Sequence, residues 1–175
     1  QLYVIKIGGN IIDDANRLEH FLEQFAGVQG HKILVHGGGK LATKLAEQMG
    51  IQQQMVDGRR ITDAETLKIV TMVYAGLINK NIVAKLQALQ VNAIGMTGAD
   101  GNLIRSIKRP VKGIDYGFVG DVDDVNVELF QQLLKNKNPC PSILCTMLMT
   151  DLRAHIMGRL HVINTCSLHA LHVQH

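Results

Sequence analysis

Two short apolar runs, each halted by glycines and each followed by helical periodicity, constrain this chain more than any other feature. Leu2-Tyr3-Val4-Ile5-Lys6-Ile7 ends in Gly8-Gly9, and Lys32-Ile33-Leu34-Val35-His36 ends in Gly37-Gly38-Gly39. Both runs are continuous rather than alternating, the pattern of strands covered on both faces. Between them, Leu18, Phe21, Leu22 and Phe25 recur at helical spacing. Residues 40–49 form a second helical stretch, with Gly50 as its C-terminal cap. Strands alternating with helices at this spacing predict an α/β fold: a three-layer α/β/α sandwich around a mostly parallel central sheet.

The alternation continues downstream. Residues 52–62, with Gly58 among them, suit a strand or an exposed hairpin. Thr62-Asp63-Ala64-Glu65 has the form of a capping box, with Thr62 as N-cap, and predicts a helix as far as Ile78. A second helix is expected over 81–89; Asn79-Lys80, between the two, could touch a ligand or simply form a break. Residues 91–94, 103–108 and 116–122 are expected strands, and 125–134 a helix. After Pro139 the rhythm fades. Cys140, Cys145 and Cys166 all lie there, five of the eight histidines follow Arg153, and no acidic residue follows Asp151. The expected organisation is one domain over residues 1–138 and an atypical region over 139–175. The cysteine spacings are not those of a zinc site or a closed disulfide framework.

A chain of 175 residues can bury the core of one domain, or of one domain and part of a second. Its net charge of +3 is scattered. No basic run interleaves with aromatic residues, so a nucleic-acid partner is not expected. No apolar run reaches the length of a membrane span, so membrane insertion is not expected and a cytoplasmic location is. The mild positive excess fits a small acidic ligand.

In a parallel sheet, ligands bind beyond the C-terminal ends of the strands. Glycines at those ends let backbone N–H groups approach an anion with no Cβ in the way, and a following helix adds its positive end. Gly8-Gly9 and Gly37-Gly38-Gly39 both stand there, and Lys6 brings a mobile charge to the first. Neither turn is a Walker A loop, because Gly39-Lys40-Leu41 lacks the required hydroxyl residue, and neither carries a dinucleotide fingerprint. Gly58-Arg59-Arg60-Ile61-Thr62 places guanidinium groups just ahead of a helix, suited to bidentate recognition of a carboxylate. His36 could serve as a base, but a histidine beside a glycine turn more often packs locally. Asp121, Asp123 and Asp124 suit a solvated acidic loop better than a metal site, and no metal ligands are assigned.

Five segments in order carry a more specific signal: Lys6-Ile7-Gly8-Gly9-Asn10, Val35-His36-Gly37-Gly38-Gly39, Gly58-x-Arg60-Ile61-Thr62-Asp63, Gly76-Leu77-Ile78-Asn79-Lys80 and Gly95-Met96-Thr97-Gly98-x-Asp100-Gly101. From residue 2 to about 138 the chain closely resembles the N-acetylglutamate kinases of the amino-acid kinase family. The resemblance implies phosphorylation of the γ-carboxylate of an N-acyl-L-glutamate in arginine biosynthesis, with ATP as donor and Mg2+ bound through the nucleotide. It implies that Lys6 stabilises charge on the transferring phosphoryl group. It places Gly8 and Gly9 near the phosphates, Gly38 and Gly39 on the substrate, and Arg60 on the substrate's α-carboxylate. It makes the helix after Thr62 the contact of a homodimer, with Leu67, Val70, Val73 or their neighbours as the expected partner face. Residues 1–138 would then be a substrate-binding and dimerisation domain. Phosphoryl transfer to an ionised carboxylate needs positioning and charge neutralisation but no general base.

The chain also departs from the family pattern. Arg59 stands where an apolar residue is usual. After Asn138 the match stops, and the Asn-x-Asn-Ala-Asp segment that supplies a substrate-binding Asn and an organising Asp is not found; Asn164-Thr165-Cys166 does not replace it. A truncation or a reading-frame change near residue 139 would account for both the lost match and the Cys/His-rich tail. Little or no kinase activity is expected of the 175-residue chain alone. Two other readings stay open: an amino-acid kinase acting on carbamate, glutamate or aspartate, and an inactive substrate-binding or dimerising fragment. The acyl group is open between acetyl and succinyl.

Overall fold

A computed structural model describes residues 2–38, 40–135 and the strand at 142–146. Gly39, Cys140, Cys166 and the rest of the tail lie outside the described residues, as does the expected boundary at 138–139. The first strand, β1 (Leu2–Ile7), is followed by a single helical turn, α1 (Gly9–Ile12), and by α2 (Ala15–Gly27). Next come β2 (His31–His36), α3 (Leu41–Gln48) and a small hairpin of β3 (Gln54–Val56) and β4 (Arg59–Ile61). Asp57 and Gly58, both at positive φ, make the hairpin turn. A long helix follows: α4 (Ala64–Thr71), a π-helical stretch Met72–Ile78, and α5 (Asn79–Ala88). Beyond it lie β5 (Ala93–Met96), β6 (Ile104–Lys108), β7 (Gly120–Val125), α6 (Val127–Lys135) and β8 (Ser142–Thr146).

The central sheet has the order β1-β2-β8-β5, with every neighbouring pair parallel. Its third strand thus comes from sequence beyond residue 138. Alternate residues serve opposite faces. Ile5, Ile7 and Leu34 pack with Phe21, Leu22 and Phe25 of α2, Ala42 and Ala46 of α3, and Ile69, Val73, Ile82 and Leu86 of the long helix. Val4, Ile33 and Val35 pack on the other face with Leu103, Val125, and Phe130 and Leu134 of α6. The expected three-layer α/β/α arrangement is present. Beside it β6 and β7 pair antiparallel, outside the main sheet.

The long helix departs from expectation at three points. Its N-cap is Asp63, whose carboxylate accepts from the Thr66 N–H at 2.7 Å. Thr62 is instead drawn into a bridge with Gly117, its N–H donating to Tyr116 O and its carbonyl accepting from Phe118 N–H. Asn79-Lys80 is no break: the helix runs unbroken over Ala64–Ala88, the wider π turns at 72–78 absorbing the change of phase. At 25 residues it is also long and apolar enough to cross a membrane by length and composition alone, contrary to the expectation from the apolar runs. Its apolar stripe is taken up by the sheet, with Ile69, Val73, Ile82 and Leu86 all 1% exposed or less.

Lys32 fastens the other end of the first βαβ unit. It is 6% exposed, and its ammonium donates to the carbonyls of Phe25 (2.8 Å), Ala26 (3.0 Å) and Val28 (2.9 Å) while lying 5.0 Å over the Phe25 ring. A full positive charge thus satisfies the orphan carbonyls at the C-terminus of α2, where the helix dipole favours it.

Candidate functional site

The register sets both glycine turns side by side. Lys6 pairs with Val35 and Ile7 with His36, so Gly8-Gly9 and Gly37-Gly38 leave adjacent strands at the same level of the same sheet edge. Space at the turns differs from residue to residue. A Cβ at Gly8 or Gly37 would meet nothing within 4 Å, so these two present open backbone at the strand ends. A Cβ at Gly38 would fall on the ring of Tyr74. The side chain of Lys6 is exposed at the end of β1.

Arg60 reaches the same place from the β3–β4 hairpin. Its Nη2 donates to Thr43 Oγ1 at 2.6 Å, in the first turn of α3 and so next to the second glycine turn. Its Nη1 is buried, with no hydrogen-bond partner among the described residues. Such a nitrogen carries a desolvation cost that an incoming acceptor would relieve. Arg59, its neighbour, is exposed and lies within electrostatic range of Asp121.

Two residues that sequence reasoning passed over, Tyr74 and Asp13, complete the surroundings together with Asn79. Tyr74, on the π turn, lies under Gly38; burial pushes its phenol above the ordinary range, against the pull of the Arg60 charge, and Asp13 raises it further. Asp13, just after α1, accepts from the Lys40 N–H through both carboxylate oxygens at 3.1 Å, tying the first glycine turn to the start of α3. Asn79 is fully buried and lies 3.3 Å from His36 Nε2. An acidic residue four positions after a glycine turn is the only signal in the sequence that marks Asp13. Nothing in the helical periodicity marks Tyr74.

His36 is buried, and its Nδ1 lies 2.9 Å from the Gly37 carbonyl. A carbonyl only accepts, so Nδ1 carries the proton and Nε2 accepts from the Asn79 amide. Burial lowers its pKa, the Gly37 bond opposing this in part. A neutral imidazole with both nitrogens engaged is a structural pin under the turn and is not poised as a base.

At β5, Lys80 Nζ donates to Gly95 O at 2.8 Å, and a Cβ at Gly95 would meet Asn79 and Val83. In the following turn Asp100 accepts from both the N–H (2.6 Å) and the hydroxyl (2.9 Å) of Thr97. Asp121 and Asp123 sit on β7, paired with Arg109 and Arg105. Among the described residues no group of three His, Cys, Asp or Glu could hold a metal ion. Of the expected dimer face, Val70 and Val73 are buried within the chain itself, Val73 in the cluster beneath the sheet, and Leu67 is partly exposed. The large apolar side chains the π segment leaves exposed are Met72 and Leu77.

Residues 1–153 match the model of the family described as Amino acid kinase family. The chain is 63% identical over 134 residues to an acetylglutamate kinase of Parabacteroides distasonis, a match covering 77% of this chain and 52% of that protein. It is 65% identical over 135 residues to an acetylglutamate kinase of Cytophaga hutchinsonii, covering 77% of this chain and 51% of that one. The chain spans about half the length of the curated relatives it matches. Among solved structures it is similar to N-acetylglutamate synthase from Neisseria gonorrhoeae complexed with coenzyme A and N-acetyl-glutamate, with a TM-score of 0.66 at 17% identity. That match covers 83% of this chain and 33% of that one and concerns the fold alone.

Proposed function

The chain belongs to the amino acid kinase family, and on that premise we propose that it forms the acceptor-binding part of an enzyme that phosphorylates the γ-carboxylate of an N-acyl-L-glutamate. One observation carries the reading: Arg60 Nη1 is buried without a partner among the described residues, beside the second glycine turn, while Nη2 is anchored on Thr43. A guanidinium anchored at one nitrogen and unsatisfied at the other among the described residues suits a carboxylate acceptor. Arg60 grips the α-carboxylate, and the N–H groups of Gly38 and Gly39 hold the other end of the acyl-glutamate. Lys6 and the Gly8-Gly9 turn, open at Gly8, serve the transferring phosphoryl group from the adjacent strand end. ATP with Mg2+ supplies that group and, through the metal, neutralises part of its charge. A role in arginine biosynthesis follows from the acceptor, and a location in the cytoplasm goes with it. A homodimer belongs to the same reading, with Met72 and Leu77 as the side chains a second copy would cover; light scattering that shows a monomer at micromolar concentration would remove it.

On this reading the described residues form the acceptor side of such a site, so the direct test is binding. Calorimetric titration of the chain with N-acetyl-L-glutamate, N-succinyl-L-glutamate, L-glutamate, L-aspartate and carbamoyl compounds should show a preference for an acylated glutamate. ADP release with the same panel reports whether binding is accompanied by turnover, which we expect to be slight in the 175-residue chain. Tighter binding of free L-glutamate or L-aspartate than of any acylated form would overturn the proposal in favour of another amino-acid kinase.

A further inference from the structure

The support beneath the second glycine turn comes from the place where the long helix changes its ladder. Over Met72–Ile78 the helix is π-helical. Such turns are rare and cluster at functional sites. Residues five apart on an α-helix point about 140° away from each other, but one turn of an i→i+5 ladder stacks them. Tyr74 and Asn79 are five apart. Tyr74 lies under Gly38, and Asn79 lies beside the ring of His36, two residues earlier on the same strand end. The π turn thus aims two side chains at one glycine turn.

Space and conformation at Gly38 sharpen the point. Gly38 is not among the described glycines at positive φ, so its backbone is open to any L residue. Gly37, one position earlier, faces open space. What forbids a side chain at Gly38 is the Tyr74 ring beneath it. The same tyrosine interacts electrostatically with Arg60 and Asp13, charged residues that both contact the start of α3 just after the turn.

We propose that Tyr74 is the positioning residue of this site: its ring sets the height of the Gly37-Gly38 turn against Arg60, so that the turn's N–H groups and the guanidinium address one carboxylated ligand. The identity of that ligand rests on the acyl-glutamate reading above; the packing does not. Tyr74 makes no covalent contribution and moves no proton. Removing the ring leaves room for the turn to drop, which separates the turn from Arg60 without touching either.

The test is a double-mutant cycle of Gly38→Ala and Tyr74→Ala in the full 175-residue chain, with Tyr74→Phe as the conservative variant. Two readouts are taken: the thermal midpoint, and the dissociation constant for N-acetyl-L-glutamate by calorimetry. Gly38→Ala should lower the midpoint by several degrees when the tyrosine is present. In the Tyr74→Ala background it should hardly lower it at all, since its methyl enters vacated space. Tyr74→Ala should weaken binding on the order of tenfold or more, and Tyr74→Phe should restore most of that. An equal cost of Gly38→Ala in both backgrounds overturns the proposal, because the glycine would then be required by backbone or ligand. Unchanged binding in Tyr74→Ala overturns it as well. A chain that shows the thermal coupling but binds no N-acetyl-L-glutamate refutes the substrate reading and upholds the coupling of Tyr74 to the turn. Binding without the coupling refutes the Tyr74 role alone.

Discussion

Replacing Arg60 by methionine should affect ligand binding and stability in opposite senses. Methionine keeps an apolar stem where the arginine stem lies and removes the charged fork, so the packing loss is small. In the free protein the substitution deletes one bond, from Nη2 to Thr43 Oγ1 at 2.6 Å, and it also deletes a buried Nη1 that has no partner among the described residues. The bond is worth about 1 kcal/mol net and relief of the buried donor about 1–3 kcal/mol, so the folded state should be as stable as before or slightly more so. With ligand present the balance reverses. A carboxylate that had taken one or two charge-assisted bonds loses about 2–4 kcal/mol, equivalent to about thirtyfold to several hundredfold in dissociation constant. Arg59→Met is the control, because Arg59 is exposed and its attraction to Asp121 is screened by water; its removal should cost well under about 1 kcal/mol in either measurement. Calorimetric titration with N-acetyl-L-glutamate and thermal unfolding of the same three proteins give both quantities. Equal losses of affinity at positions 59 and 60, or an Arg60→Met protein that unfolds many degrees earlier, would show that the guanidinium serves the fold and not a ligand.

Lys32→Met should lower stability by about 2–4 kcal/mol, since three carbonyls at the end of α2 lose their shared donor; an unchanged urea midpoint would refute the capping role. His36, whose pKa burial depresses, binds its proton more readily unfolded than folded. Its contribution to stability is therefore complete above the unfolded value of about 6.5 and falls away as pH drops below it. Unfolding midpoints between neutrality and mild acid should decline and should decline less in His36→Gln; Asp63, depressed by its bonds from Thr66, acts only in the lower carboxylate range. Gly95→Ala should cost about 1–3 kcal/mol by overpacking, because its methyl would meet Asn79 and would stand 2.8 Å from Val83 Cγ2; wild-type stability in that variant would refute the close approach.

The two strand–glycine units were legible because a strand buried on both faces writes itself as an unbroken apolar run, and both runs ended within a residue or so of their strands. The hairpin at β3–β4 was legible as one of two options because Asp57-Gly58 is a turn pair. The long helix was legible in existence and not in anatomy. Asn79 and Gly76 look like breaks to a reader of periodicity, since a polar residue on the apolar stripe ends an α-helical pattern. In the folded chain Asn79 is buried because it finds the His36 ring across the sheet, 43 residues away in sequence. Thr62 lost the capping role to Asp63 for a similar reason: its backbone was needed by the loop at 116–118, a distant partner that a local capping rule does not weigh. Two residues of the expected partner face, Val70 and Val73, are buried within the chain itself, Val73 in the cluster beneath the sheet, while Leu67 stays partly exposed.

The glycines hold the harder lesson, because one residue type answers two physical demands. Gly8 and Gly37 have open space where a side chain would be, as a cradle for an anion requires. Gly38 and Gly95 have that space filled from within, by Tyr74 and by Asn79 and Val83. A Gly-rich motif records both without distinction. What separates a ligand surface from a packing contact is the charge around the open positions. Lys6, Arg60 and Lys80 stand at the strand ends, while the two acids there, Asp13 and Asp100, are each taken up by backbone N–H groups of the turns. The acids hold the loops in shape, and among the described residues none of the three cations is in an ion pair. On the proposed function, attraction for an acidic ligand would come from this local arrangement, and should persist if the scattered net charge of +3 were removed from the rest of the surface.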